Sequence, residues 1–186
     1  MSTTPISPST QDSQRSEGDD ATSEIGFVAA ILAGEAAALT QLSGSLTSDS
    51  SEKDHWTQAI DMIDRCPGHV VVCGMGKSGL VGAKISATMS SVGIPSHVVH
   101  PADAVHGDLG AIRSTDVVML LSHSGRTEEV VNLATILKAD GVKRLAVTAS
   151  HDSDLARLCD SHLALGPLEE VCPLSLAPTT STTMTL

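Results

Sequence analysis

Aromatic side chains are almost missing from this chain, with one Phe, one Trp and no Tyr in 186 residues. Base stacking on aromatic platforms is thereby excluded as a main binding mode. Basic residues are scarce too, 11 against 22 acidic ones, and the formal charge of −11 argues against nucleic acid or an anionic membrane as partner. The four cysteines, Cys66, Cys73, Cys159 and Cys172, contain no CxxC pair, which indicates neither a disulfide framework nor a zinc ribbon. Cys73 reads as a small core residue. No apolar signal-peptide core occurs in residues 1–23, and Asp12, Glu17, Asp19 and Asp20 argue against a mitochondrial presequence. Residues 1–22 read as a disordered polar tail. The apolar stretch 25–42 carries Glu35 and Gln41 and follows Glu24, which suits a packed helix better than a membrane span. A reducing, cytoplasmic setting is the expectation.

What is present is aliphatic and patterned. The length allows one domain with a sizeable core. A helix is expected over 24–42, capped by Ser23 or Thr22 and apolar nearly all round; such a helix is usually covered on more than one side, another subunit included. A polar linker over 43–51 and a second helix over 52–65 complete an N-terminal helical hairpin, which Pro67-Gly68 ends. Strands are then expected over 70–73, 96–99, 117–121, 145–148 and 162–165. Helices are expected over 77–92, 128–139 and 153–158, with a long loop over 100–108. This alternation predicts an α/β three-layer sandwich with about five parallel strands. Ligands of such sheets bind beyond the carboxyl ends of the strands. The last residues, from Thr179, read as the cap and first turn of a helix that stops at once, so the domain over 23–186 reads as incomplete at its C-terminal end.

Two glycine-and-hydroxyl turns sit where a strand hands over to a helix. Gly74-Met75-Gly76-Lys77-Ser78-Gly79 matches GxGxxG, but a dinucleotide site needs an acid at the end of the second strand, and His100-Pro101 stands there. A P-loop is also excluded, because Val71 occupies the position of its first glycine. Lys77 in a strand-end crevice would instead need an anionic partner. Ser122-His123-Ser124-Gly125-Arg126-Thr127 offers three hydroxyls around a glycine, where a single helix cap needs one. Ser122, Ser124 and Thr127, with Gly76, Ser78 and Gly125, are therefore candidate phosphate or substrate contacts. Glu129 complements the helix dipole or faces a substrate. His100 and His106 share a loop at a strand's carboxyl end, whereas His55, His69 and His162 read as structural. Glu170, in the loop leaving the fifth strand, is either a solvated surface group or a general base.

Taken together, Gly74–Gly79, His100-Pro101-Ala102, His106-Gly107-Asp108-Leu109-Gly110, Ser122–Thr127, Cys172-Pro173-Leu174, Leu176-Ala177-Pro178-Thr179 and Ser181-Thr182-Thr183 resemble the sugar isomerase (SIS) domain of D-arabinose-5-phosphate isomerases. The resemblance runs from about Glu24 to Leu186. It implies interconversion of D-ribulose 5-phosphate and D-arabinose 5-phosphate through an enediol, without a cofactor or metal. It also implies a homo-oligomer, dimer or tetramer, with sites near subunit boundaries. By position it makes Lys77, His106, Glu129 and Glu170 the catalytic set. Glu170 would take the proton, Glu129 or His106 would shuttle protons at the oxygens, and Lys77 would stabilise charge. Members of the family continue with further helices, a His-Pro-Gly-Gly stretch and CBS modules that this sequence lacks. His123, Arg126 and Ser175 depart from the Asn, Glu and Gly common there. A non-catalytic, sugar-phosphate-binding regulatory domain is the alternative; it would need the serine turn but not His106, Glu129 and Glu170 together. A nicotinamide oxidoreductase ranks third.

Overall fold

Short aliphatic runs between turns form five strands, β1 (Val70–Gly74), β2 (Ser96–Val98), β3 (Val117–Leu121), β4 (Lys143–Thr148) and β5 (Ser161–Ala164). All pairings are parallel, in the order β2-β1-β3-β4-β5. β1, β3 and β5 are buried along their whole length, as a sheet covered on both faces requires. The structure is a computed structural model that describes residues 23–186; the tail expected over 1–22 lies outside the described residues.

The described residues also form seven α-helices: α1 (Glu24–Ser48), α2 (Ser50–Asp64), α3 (Gly76–Ser91), α4 (Pro101–Val105), α5 (Glu128–Ala139), α6 (Asp154–Leu158) and α7 (Thr180–Thr185). Strand side chains alternate between two cores. Val71, Cys73, Val118 and Leu120 pack with Leu133 and Leu137 of α5 and Leu155 of α6. Val70, Val72, Met119 and Leu121 pack with Trp56 of α2, Ile85 of α3 and Met184 of α7. The three-layer sandwich follows from that division. Cys73 is the core residue expected, and burial pushes its thiol up to about 12.

Two expectations need correction. The linker expected over 43–51 is mostly helix: the hydroxyls of Ser45, Thr47 and Ser48 donate back to the carbonyls of Leu42 and Gly44, so the polar run stays within α1. The chain leaves the helix only at Asp49, whose carboxylate caps α2 by accepting from Ser51 N–H at 2.9 Å. The loop expected over 100–108 holds α4, opened by Pro101 at its first turn, and a 3₁₀ turn at Asp108–Ala111 follows. Helix α1 has no buried residue, and Ile25 and Leu32 are 75% and 61% exposed. The described residues leave these side chains uncovered. By length and composition α1 could cross a membrane.

The turn from β1 into α3 is as tight as a backbone allows. Gly76 sits at φ +52°, and a Cβ on Gly79 would stand 2.6 Å from the Gly74 carbonyl oxygen. Replacing Gly79 by Ala is expected to cost about 1–3 kcal/mol, because backbone rather than a flexible side chain must move. Urea unfolding of Gly79→Ala beside the parent chain measures it; an unchanged midpoint contradicts the packing.

Candidate active site

The strand order reverses direction between β1 and β3. After β1 the chain crosses to the edge strand β2, then returns to the other side of β1. Such a switch point leaves a crevice at the carboxyl ends, because the following helices lie on opposite faces. Both glycine turns sit there. Neither helix that starts from them has a side-chain cap: the N-cap positions of α3 and α5, Met75 and Thr127, make no side-chain bond to their helices. The first-turn N–H groups at both ends are therefore free of side-chain partners, and both dipoles point positive ends at the crevice.

Lys77 and Ser78, in the first turn of α3, line a cavity of about 70 Å³ with His123 of the β3–α5 turn. Pro178, Ser181, Thr182 and Thr185 close its third side. The volume suits a group the size of a few waters and falls far below the roughly 300–1,000 Å³ of a whole ligand pocket. Ser122 is buried, its Oγ accepting from Gly125 N–H at 3.1 Å and pairing with Thr127 Oγ1 at 2.8 Å. Ser124 Oγ accepts from Arg126 N–H at 3.2 Å. All three hydroxyls expected to cradle an anion thus bond within the turn itself, and of them Ser124, like the cation of Arg126, is exposed. Gly125 adopts φ +63°, and a Cβ there would stand 2.4 Å from that of Ser153.

Glu170 does not stand free. Its carboxylate accepts from Thr179 N–H at 2.7 Å, from Thr179 Oγ1 at 3.0 Å and from Ser181 N–H at 3.3 Å. Desolvation pulls its pKa up, but the Ser181 and Thr179 donors outweigh it and hold the carboxyl below the usual range. Glu170 is the clamp on the start of α7, whose Met184 is buried against the sheet. That is why a six-residue helix persists. The backbone N–H groups of Ala177, Leu176 and Leu174 gather on the Cys172 sulfur and lower its pKa, ordering the same loop.

The structure brings together Lys77, Ser78 and, through Ser181, Glu170. It does not bring His106 or Glu129 into that cavity. His106 ends α4 as an exposed C-cap, and Glu129 is exposed in the first turn of α5. Sequence reasoning gave no role to His123 as a lining residue, nor to Thr182 and Thr185. The signal for Thr182 and Thr185 was the hydroxyl-rich run over 179–185, and that for His123 its place inside the serine turn. The backbone N–H of His69 donates to buried Asp116 at 2.8 Å. His162 is buried in β5, and burial, then His151 and His55, push its pKa down to about 4.

The SIS domain profile matches residues 63–186. Arabinose 5-phosphate isomerase KpsF of Escherichia coli O6:H1 is 46% identical over 155 residues, which is 83% of this chain and 46% of the relative. The chain thus spans a little under half the length of the curated relatives it matches. Among solved structures, a Bacteroides fragilis protein provisionally assigned as a phosphosugar isomerase of capsule formation superposes with a TM-score of 0.79 at 36% identity, covering 88% of this chain and 84% of that one. An E. coli CFT073 protein solved in complex with A5P superposes with a TM-score of 0.77 at 37% identity, covering 86% and 82%.

Removing the clamp by Glu170→Ala is expected to speed amide exchange of Thr179 and Ser181 by about tenfold, equivalent to roughly 1.4 kcal/mol. Because the folded pKa is lowered, the clamp is intact above the ordinary value of 4.5 and is lost as pH falls through the lower folded value. Exchange that is unaffected by the substitution removes Glu170 from this role.

Proposed function

The chain belongs to the SIS domain family, and from that premise we propose that the whole protein interconverts D-ribulose 5-phosphate and D-arabinose 5-phosphate. The observation that carries the reading is the crevice where Lys77 and His123 face each other between two uncapped helix ends. The relative bound to A5P, with the same fold, supports it. The phosphate dianion takes the crevice, held by first-turn N–H groups, Lys77, Ser78 and Ser124, with Gly76 and Gly125 giving the backbone close approach. Ser122 and Thr127 act by holding the turn. The carbon chain extends out of the small cavity toward the ionisable rim.

Isomerisation of the aldose removes the C2 proton, forms an enediol and returns a proton to C1, while one proton moves between O1 and O2. Glu170 is the base in this proposal, and it takes the C2 proton once Thr179 and Ser181 release part of their hold. Glu129 and His106 carry protons at the two oxygens, and Lys77 stabilises the charge that develops. No cofactor or metal is assigned to these steps. Regulatory binding without turnover is the second reading, favoured by the depressed pKa of Glu170, which makes it a weaker base.

The assembly proposed is a homo-oligomer in which a second copy covers Phe27, Val28, Leu32 and Leu39, all exposed on α1. A cytoplasmic setting without nucleic-acid or membrane partners fits the charge of −11.

The test is solvent-proton exchange at C1 of ribulose 5-phosphate, or at C2 of arabinose 5-phosphate, in deuterated water with the full-length protein. Exchange is expected, with Lys77→Ala slower by about 10²–10³. Glu170→Gln should abolish exchange while sparing binding. Binding without exchange in the parent protein establishes the regulatory reading. If Glu129→Gln is dead and Glu170→Gln active, the base is Glu129.

A further inference from the structure

A second polar cluster lies at the carboxyl end of β4, apart from the Lys77 crevice and unused by isomerisation. Glu52 and His55 stand three residues apart on one face of α2, and His151 projects from the β4–α6 loop. Glu52 Oε1 lies 2.5 Å from His151 Nε2. The rings of His55 and His151 stack with centroids 4.7 Å apart. One ligand atom from each of the three residues lies within 4.8 Å of the other two.

Thr148 Oγ1 donates to the Ser150 carbonyl at 2.8 Å, so its contact with His162 is one in which His162 Nε2–H donates, also at 2.8 Å. His162 Nδ1 then accepts from His151 Nδ1–H at 2.8 Å. In a neutral His151 this leaves the Nε2 lone pair aimed at a carboxylate oxygen of Glu52. Two lone pairs so close need a cation. A proton would serve that one contact. It would leave Glu52 Oε2 and His55 Nδ1, both buried, without a hydrogen-bond partner among the described residues. One ion serves all three residues.

We propose that Glu52, His55 and His151 are the protein ligands of a divalent transition-metal ion of the zinc class. Two imidazoles and a carboxylate are a zinc donor set; calcium and magnesium prefer oxygen alone. Small rotations must open the 2.5 Å Glu52–His151 contact and bring the ring of His55 closer, so that all three reach the roughly 2.0–2.2 Å bonds that zinc forms with nitrogen and oxygen. His162, anchored on Thr148, orients His151 from behind by accepting its Nδ1–H. Glu52 and His151 also line a cavity of about 580 Å³ between α1 and the ends of β4 and β5, which leaves a fourth position open to water or a small ligand. The ion would staple α2 to the β4–α6 loop.

Zinc titration of the whole chain against a chromophoric chelator is expected to show one tight equivalent. His55→Gln and His151→Ala should each weaken it at least a hundredfold, and His162→Asn about tenfold to a hundredfold. Cobalt(II) in place of zinc should give a tetrahedral visible spectrum without a sulfur charge-transfer band, lost in His55→Gln. Because His55 Nδ1 has no partner to lose, that variant is expected to fold and carries the test if His151→Ala does not. No tight equivalent in the parent chain, unchanged affinity in the His55→Gln variant, or a thiolate–cobalt band overturns the proposal.

Discussion

Everything at the candidate active site depends on one packing constraint, the reversal of strand order beside β1. Because β3 pairs with β1 on the side away from β2, the turns that follow β1 and β3 are neighbours at the sheet's carboxyl edge. Their helices start without side-chain caps, leaving first-turn N–H groups to be satisfied by something else. In a chain with twice as many acids as bases, the anion binding proposed for this crevice therefore rests on backbone dipoles first and on Lys77 second. Glycine at 79 keeps that geometry, since α3 could not otherwise begin so close to β1.

The second constraint is the loop between β5 and α7. A charged carboxylate that spends its lone pairs on Thr179 and Ser181 fixes α7, and α7 supplies the wall of the Lys77 cavity. Position and basicity pull against each other at Glu170. Every donor that holds it in place makes it a poorer proton acceptor. Base catalysis by this residue requires that holding and reacting alternate, so movement of α7 would accompany turnover.

Much of this was legible in the sequence, and the exceptions share a cause. β3 and α5 lie on the predicted residues because hydrophobic period and turn chemistry agree there. Helix α1 outran its predicted end because serine reads as linker by composition, yet its hydroxyl can bond back into the helix. The serine turn was visible as a motif, but whether Ser122 faces a ligand or its own backbone depends on χ1 and on Thr127, five residues on. Glu52, His55 and His151 carried no usable spacing signal, since 96 residues separate the second from the third. His55 alone reads as structural, and only the packing of α2 beside β5 and the β4–α6 loop reveals its neighbours.

That loop also joins the two sites. Ala149 N–H donates to the His123 carbonyl at 2.9 Å, and Leu155 N–H donates to the Gly125 carbonyl at 3.0 Å. The β4–α6 loop is thereby hydrogen-bonded along the anion turn on one side, while His151 at its other side meets Glu52. With Gly125 at positive φ and no room for a Cβ against Ser153, neither segment can change shape without displacing the other. An ion that fixed His151 would therefore act on the β3–α5 turn by limiting its brace, with no contact to the substrate. The same bonds explain why Ser153 is buried although Asp152 and Asp154 on either side of it are exposed: it caps α6 through Ala156 N–H and packs on Gly125, so one hydroxyl residue serves both turns.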